Sequence, residues 1–142
     1  MSVIGKASVF AAVLVGFGVG TAHAQETITA NVPFPFVAGH VECAAGRYEI
    51  HAIDYVSNVI VIESSTDPSC TAFLQTNALY GRDAAGDQPS LEFTRRENQY
   101  RLERIWDSAT EGRELVGVGR ERREARSDSR QDLTCVVAAN WR

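Results

Sequence analysis

Residues 47–54 (RYEIHAID) alternate between apolar and polar side chains with a period of two. Tyr48, Ile50 and Ala52 share one face, and Arg47, Glu49 and His51 share the other, which is the pattern of a half-buried strand. Such a strand needs neighbours, because its backbone N–H and C=O groups must find partners. Residues 27–37 (TITANVPFPFV) are rich in the β-branched and aromatic residues that suit extended backbone. Pro33 and Pro35 cannot donate to a ladder, so this segment must lie at an edge or bend there. Residues 39–46 read as a turn-rich connection. A turn at 55–58 leads into 59–62 (VIVI), a continuous apolar run suited to a strand covered on both faces. Asp67-Pro68 places a loop at 64–69, and residues 71–77 follow as another strand.

In the second half, residues 81–89 (GRDAAGDQP) form a polar loop. Residues 91–96 and 99–106 then suit a hairpin around Glu97-Asn98. A two-residue turn sets Phe93 opposite Leu102 and Arg95 opposite Tyr100. It brings Leu91, Phe93, Tyr100, Leu102 and Trp106 to one face. Asn tolerates the left-handed backbone of such a turn, and Glu does so less well. Residues 107–112 read as a loop and 114–118 as a short strand. From 120 to 132 (RERREARSDSRQD) charges alternate without an apolar period, as in a solvated helix or a disordered segment. Residues 133–141 (LTCVVAANW) are apolar again and suit docking on the domain. About six or seven short strands separated by turn signals predict an all-β, mainly antiparallel sandwich or small barrel.

Ahead of this pattern stands a different kind of segment. Residues 1–6 carry Lys6, residues 7–20 are a 14-residue apolar run, and residues 21–24 (TAHA) offer small side chains in an A-x-A arrangement. That order is the signature of a secretory leader. The run is shorter than the roughly 20 residues that span a bilayer. Cleavage after Ala24 would leave Gln25 as the new N-terminus and no membrane span. The chain thus divides into a signal peptide over 1–24, a β domain over 25–118, and a charged C-terminal extension with an apolar end over 119–142. The expected location is outside the cytoplasm, in the periplasm or the medium.

Cleavage would remove the single Lys and leave 13 Arg against 18 Asp and Glu. A net acidic domain disfavours nonspecific nucleic-acid binding. Without Lys, Schiff-base chemistry and a P-loop are excluded. Three cysteines follow the leader: Cys43, Cys70 and Cys135. Their spacing does not suit zinc, and His40 and His51 lack partners at ligand spacing, so no metal or cofactor is assigned. An oxidising compartment pairs cysteines. If 47–54 and 59–62 pair antiparallel, Cys43 and Cys70 come to the same end of the sheet. A Cys43–Cys70 disulfide is therefore expected. Cys135 is left over, to stay buried or to link two chains as a dimer.

Four constellations bear on function. Ser57, His51 and Asp54 have the residue types of a hydrolase triad. However, His51 and Asp54 point to opposite faces of a strand, and no G-x-S-x-G elbow is present, so no catalytic residue is assigned. Glu92 and Glu103, near neighbours across the hairpin, have the residue types of a glycosidase pair. A surface pair eased by Arg101 and Thr94 is the simpler account. Phe34, Phe36, Phe73, Phe93 and Trp106 could line a ligand cavity, although aromatics at strand spacing more often fill a core. The Arg-rich stretch could meet an acidic partner, but its charges are interleaved as in a solvated tail.

Several stretches together resemble an uncharacterised family of small secreted proteins common in acidobacterial genomes. They are Asn31-Val32-Pro33-Phe34 with Phe36, Ala45-Gly46 with Tyr48, Leu91 and Phe93, Gln99-Tyr100 with Leu102, Ile105-Trp106, and Gly112-Arg113-Glu114-Leu115. The resemblance covers about residues 28–115 and implies an exported β-rich domain with no assigned chemistry. The chain departs from that pattern at Glu97, where Gly is usual, and at Cys43 and Cys70. The leading expectation is an exported non-enzymatic domain with a structural or binding role. The alternative is a secreted hydrolase acting on envelope or environmental polymer. A small outer-membrane barrel ranks third, because its strands would need roughly 9–11 residues and an apolar outer face.

Overall fold

A computed structural model describes residues 26–53, 58–82, 85–117 and 133–142. The leader, the charged stretch at 120–132, and Asp54 and Ser57 of the triad reading lie outside these residues. The described chain is all-β and contains no helix. Its strands are β1 (Thr27–Val32), β2 (Phe36–Ala38), β3 (Val41–Cys43), β4 (Gly46–Ala52) and β5 (Val59–Ser64), then β6 (Thr71–Tyr80), β7 (Ser90–Arg96), β8 (Gln99–Trp106), β9 (Glu111–Leu115) and β10 (Leu133–Trp141). Eight of them close a barrel in the order β8-β7-β10-β1-β4-β5-β6-β9, with β9 returning to β8. The β2–β3 hairpin is attached outside this ring, with β2 parallel to the start of β8.

Ten strands exceed the six or seven expected, and the extra ones have local causes. Residues 27–37 split at Pro33 and Pro35, which end β1 and delay β2 because neither can donate a ladder hydrogen bond. The turn-rich connection at 39–46 contains the three-residue β3. The apolar C-terminal stretch is a full barrel strand. Residues 133–138 of β10 pair with β7 and residues 139–141 pair with β1. In the same way β6 serves two neighbours, with residues 71–75 on β5 and 76–80 on β9. These two shared strands turn the sheet into a closed wall.

Inward positions alternate along each strand, as the pleat demands. Ile28, Ala30 and Val32 of β1, Tyr48 and Ile50 of β4, Ile60 and Ile62 of β5, and Leu91 and Phe93 of β7 are all buried in one core. Phe36 meets Tyr48 and Phe93 edge-on, with ring centroids 5.0 and 5.2 Å apart. Each such fully buried side chain contributes about 1.5–3 kcal/mol. The interior is therefore a packed core. Arg47, Glu49 and Glu63 occupy outward positions, the inverse of a lipid-facing barrel.

The β7–β8 hairpin has the expected turn. Glu97 and Asn98 take φ of 46° and 68°, the pair of left-handed residues that a tight two-residue connection requires. Phe93 opposes Leu102 and Arg95 opposes Tyr100. One residue further on, the register shifts, so that Glu92 opposes Arg104 and Leu91 opposes Ile105. Glu103 is the extra residue of this bulge. Leu102 and Ile105 both enter the core, and Trp106, expected on that face, turns to the outside. The bulge also re-aims β8, which pairs with β2 before it and with β9 after it.

Cys43 and Cys70 form a disulfide, with Cα atoms 5.4 Å apart. It ties the end of β3 to the residue preceding β6. The alternative in which Cys135 links two chains is overturned. Two of the three cysteines are consumed within the chain, and the Cys135 side chain packs against the core from the inward face of β10.

Candidate functional site

The described members of the sequence-derived constellations do not converge on chemistry. His51 sits on the outward face of β4, and its Nδ1 lies 3.8 Å from Glu63 Oε1. Glu92 and Glu103 are not the surface pair expected. Both are buried, at 7% and 3% exposure, and the bulge places Arg104 opposite Glu92. Glu92 Oε1 accepts from the Arg104 guanidinium at 2.9 Å, and Glu92 Oε2 accepts from Trp106 Nε1 at 3.2 Å. Arg104 also reaches Glu114 Oε1 at 3.4 Å. This cluster is a clamp on the outer face of the β7–β8–β9 sheet. Both oxygens of the Glu92 carboxylate are held by charge-assisted hydrogen bonds.

The aromatics also part company. Phe34 and Phe36 each pack on Phe93 at a centroid distance of 5.2 Å, and Phe34 stacks on Tyr100. Phe73 is 69% exposed. Trp106 lies over Gly112, where a Cβ would come within 2.9 Å of the indole and 2.6 Å of the Ile105 carbonyl oxygen. No shared cavity results.

Sequence reading missed a concave site with mixed chemistry, a cleft of about 440 Å³ at one mouth of the barrel. Its floor is the last layer of the core, formed by Ile28, Ile50, Ile60 and Ile105. Where the inward positions continue past that layer, their chemistry changes. Glu26 precedes Ile28 by two residues, Asp107 follows Ile105 by two, and Arg113 and Glu111 precede the buried Leu115 by two and by four. Trp141, 45% exposed, ends the inward row of β10 and forms one wall.

The hairpin joining β8 to β9 sets this rim. Asp107 N–H donates to the Glu111 carbonyl at 3.0 Å, so the two acidic residues oppose each other at the base of the turn. Ser108 Oγ accepts from the N–H groups of Thr110 and Glu111 and holds the turn closed. Like charges placed opposite each other across a ladder are destabilising. Burial pushes the Asp107 carboxyl above the ordinary range, Arg113 draws it back down, and Glu26 and Glu111 raise it again. The Arg113 contact is long, with Nε 3.8 Å from Asp107 Oδ2. Among the described residues no three His, Cys, Asp or Glu converge as metal ligands would.

No known family matches the chain, and neither does a curated protein or a solved structure. The functional reading rests on the geometry of this mouth.

Proposed function

We propose that the protein is an exported, non-enzymatic binding domain whose site is the cleft at the barrel mouth. The observation that carries this reading is the contrast between a filled interior and one concave end with an apolar floor and a charged rim. Ligand sites combine these features: apolar area for affinity and a few polar groups for orientation. The Cys43–Cys70 disulfide supports an oxidising destination, as does the leader. Mass spectrometry of protein from the periplasm or medium is expected to find Gln25 at the N-terminus. An intact leader in the membrane fraction would reverse the export reading.

The binding reading is tested with 1-hexanol, an uncharged probe of the apolar floor. Saturable changes in tryptophan emission are expected in the native protein and not in Trp141→Phe, which removes the reporter in the cleft. The hydrolase alternative draws on one observation, the carboxyl groups of Asp107, Glu26 and Glu111 gathered at one cleft rim, with burial holding the Asp107 carboxyl above its ordinary range. Turnover of chromogenic glycosides that is lost in Asp107→Asn would favour it.

A further inference from the structure

We propose that the mouth cleft takes a small aliphatic ammonium ion, with its chain on the isoleucine floor and its charge among the carboxylates of Glu26, Asp107 and Glu111. This rests on the reading of the cleft as a binding site and adds the chemical class of its ligand. Three carboxylates of the rim face one guanidinium, that of Arg113, which leaves a surplus of two negative charges. Such a rim repels fatty acids and other apolar anions and attracts apolar cations. Arg113 approaches Asp107 from one side at 3.8 Å, and no described ion pair ties Arg113 to Glu26 or Glu111.

The floor selects the kind of cation. Divalent calcium takes about 6–8 oxygen ligands at short range, whereas here the surface beneath the carboxylates is four isoleucines. An alkylammonium ion satisfies both layers at once. Its methylenes cover Ile28, Ile50, Ile60 and Ile105, and its charged N–H donors face the acidic rim. Trp141 stands at the same rim, and an indole face attracts a nearby cation.

Electrostatics at Asp107 points the same way. The charged groups that act on it are Arg113 and Glu111 of β9 and Glu26 before β1; His51 of β4 also lines the cleft, but its imidazole turns outward toward Glu63. Burial and the two glutamates together oppose its ionisation, against one arginine. A cation seated beside it offsets that cost and favours the ionised form. Binding should therefore release protons where Asp107 titrates and weaken as pH falls and Asp107 is protonated.

The test is calorimetric titration of the folded protein with hexylammonium, 1-hexanol and hexanoate at neutral pH. Tryptophan emission is followed in parallel. Hexylammonium is expected to bind about tenfold or more tighter than hexanol, as charge-assisted hydrogen bonds allow, and hexanoate the most weakly. Raising NaCl to about 0.5 M should erode the advantage of hexylammonium and leave hexanol unchanged. Asp107→Asn with Glu111→Gln should bring hexylammonium close to hexanol. Glu26→Gln, which lies outside the strand ladder, should give a smaller loss without touching the fold. If hexanol saturates the cleft and hexylammonium is no tighter, the ammonium assignment is wrong and the binding site stands. If none of the three probes saturates, both readings fail.

Discussion

At the scale of single residues, two positions carry conformational or electrostatic cost. Glu97 holds a φ of 46° in the β7–β8 turn, a region where a Cβ crowds the backbone at roughly 1–2 kcal/mol per residue. Glu97→Gly removes that cost and gives back part of it through a freer unfolded chain. We expect a net gain of about 0.5–1 kcal/mol by urea denaturation, with the hairpin unchanged. Asp107 is the second position. Its folded carboxyl is raised, chiefly by burial. Between the ordinary aspartate range and the raised value, the folded state binds more protons than the unfolded state. Stability therefore falls as pH rises through that window, and the penalty is complete above it. Asp107→Asn is accordingly expected to be more stable than the native protein at neutral pH. The gap should close when the same denaturation is run in acid below the ordinary carboxylate range. A polar residue that costs stability where it stands is what a binding site exacts.

At the scale of elements, the bulge at Glu103 is the device that local patterning does not show. Period two is plain in β4 and β7, β5 reads as a continuous apolar run, and the turn at Glu97-Asn98 sets the first pairs of the hairpin. The register slip between Leu102 and Ile105 depends on β8 leaving β2 for β9, a tertiary demand that no residue in the strand announces. Trp106 was thus assigned to the wrong face, although its burial, at 4% exposure, was anticipated. Trp106→Ala should still cost about 3–5 kcal/mol, because the indole covers Gly112 and donates to Glu92. A loss under about 1 kcal/mol by denaturation would show that the outer clamp is not part of the stable structure. The disulfide was legible because it follows from strand order: two antiparallel neighbours bring their far ends together. Replacing Cys43 and Cys70 by Ser should lower stability by about 3–4 kcal/mol on chain-entropy grounds. The check is the shift in denaturation midpoint at unchanged slope.

At the scale of the whole molecule, the all-β class was readable and the closure was not. Residues 133–141 looked like an apolar tail because the charged stretch separates them from the other strands. Only the finished sheet shows that β10 is the piece between β1 and β7. The mouth cleft was hidden for a related reason. Glu26, Asp107, Glu111 and Arg113 are unremarkable polar residues beside loops, and they meet only when six strand ends are gathered at one rim. The available signal was parity, since Glu26, Asp107 and Arg113 each stand two residues beyond a buried apolar position and Glu111 stands four beyond one. A chain ending at Asp132 would leave the barrel open between β1 and β7. We expect it to lose cooperative thermal unfolding by circular dichroism, with scattered rather than two-state loss of signal.

The placement of β10 also sets a clock. Thr29 and Asn140, hydrogen-bonded across the β1–β10 pair, are 111 residues apart. No earlier part of the chain can supply that contact, and pairings so distant form slowly. While the chain is being made, β1 and β7 wait with open edges for β10, which follows every other described strand. Open edges of this kind pair with other chains, so the wait exposes the protein to aggregation.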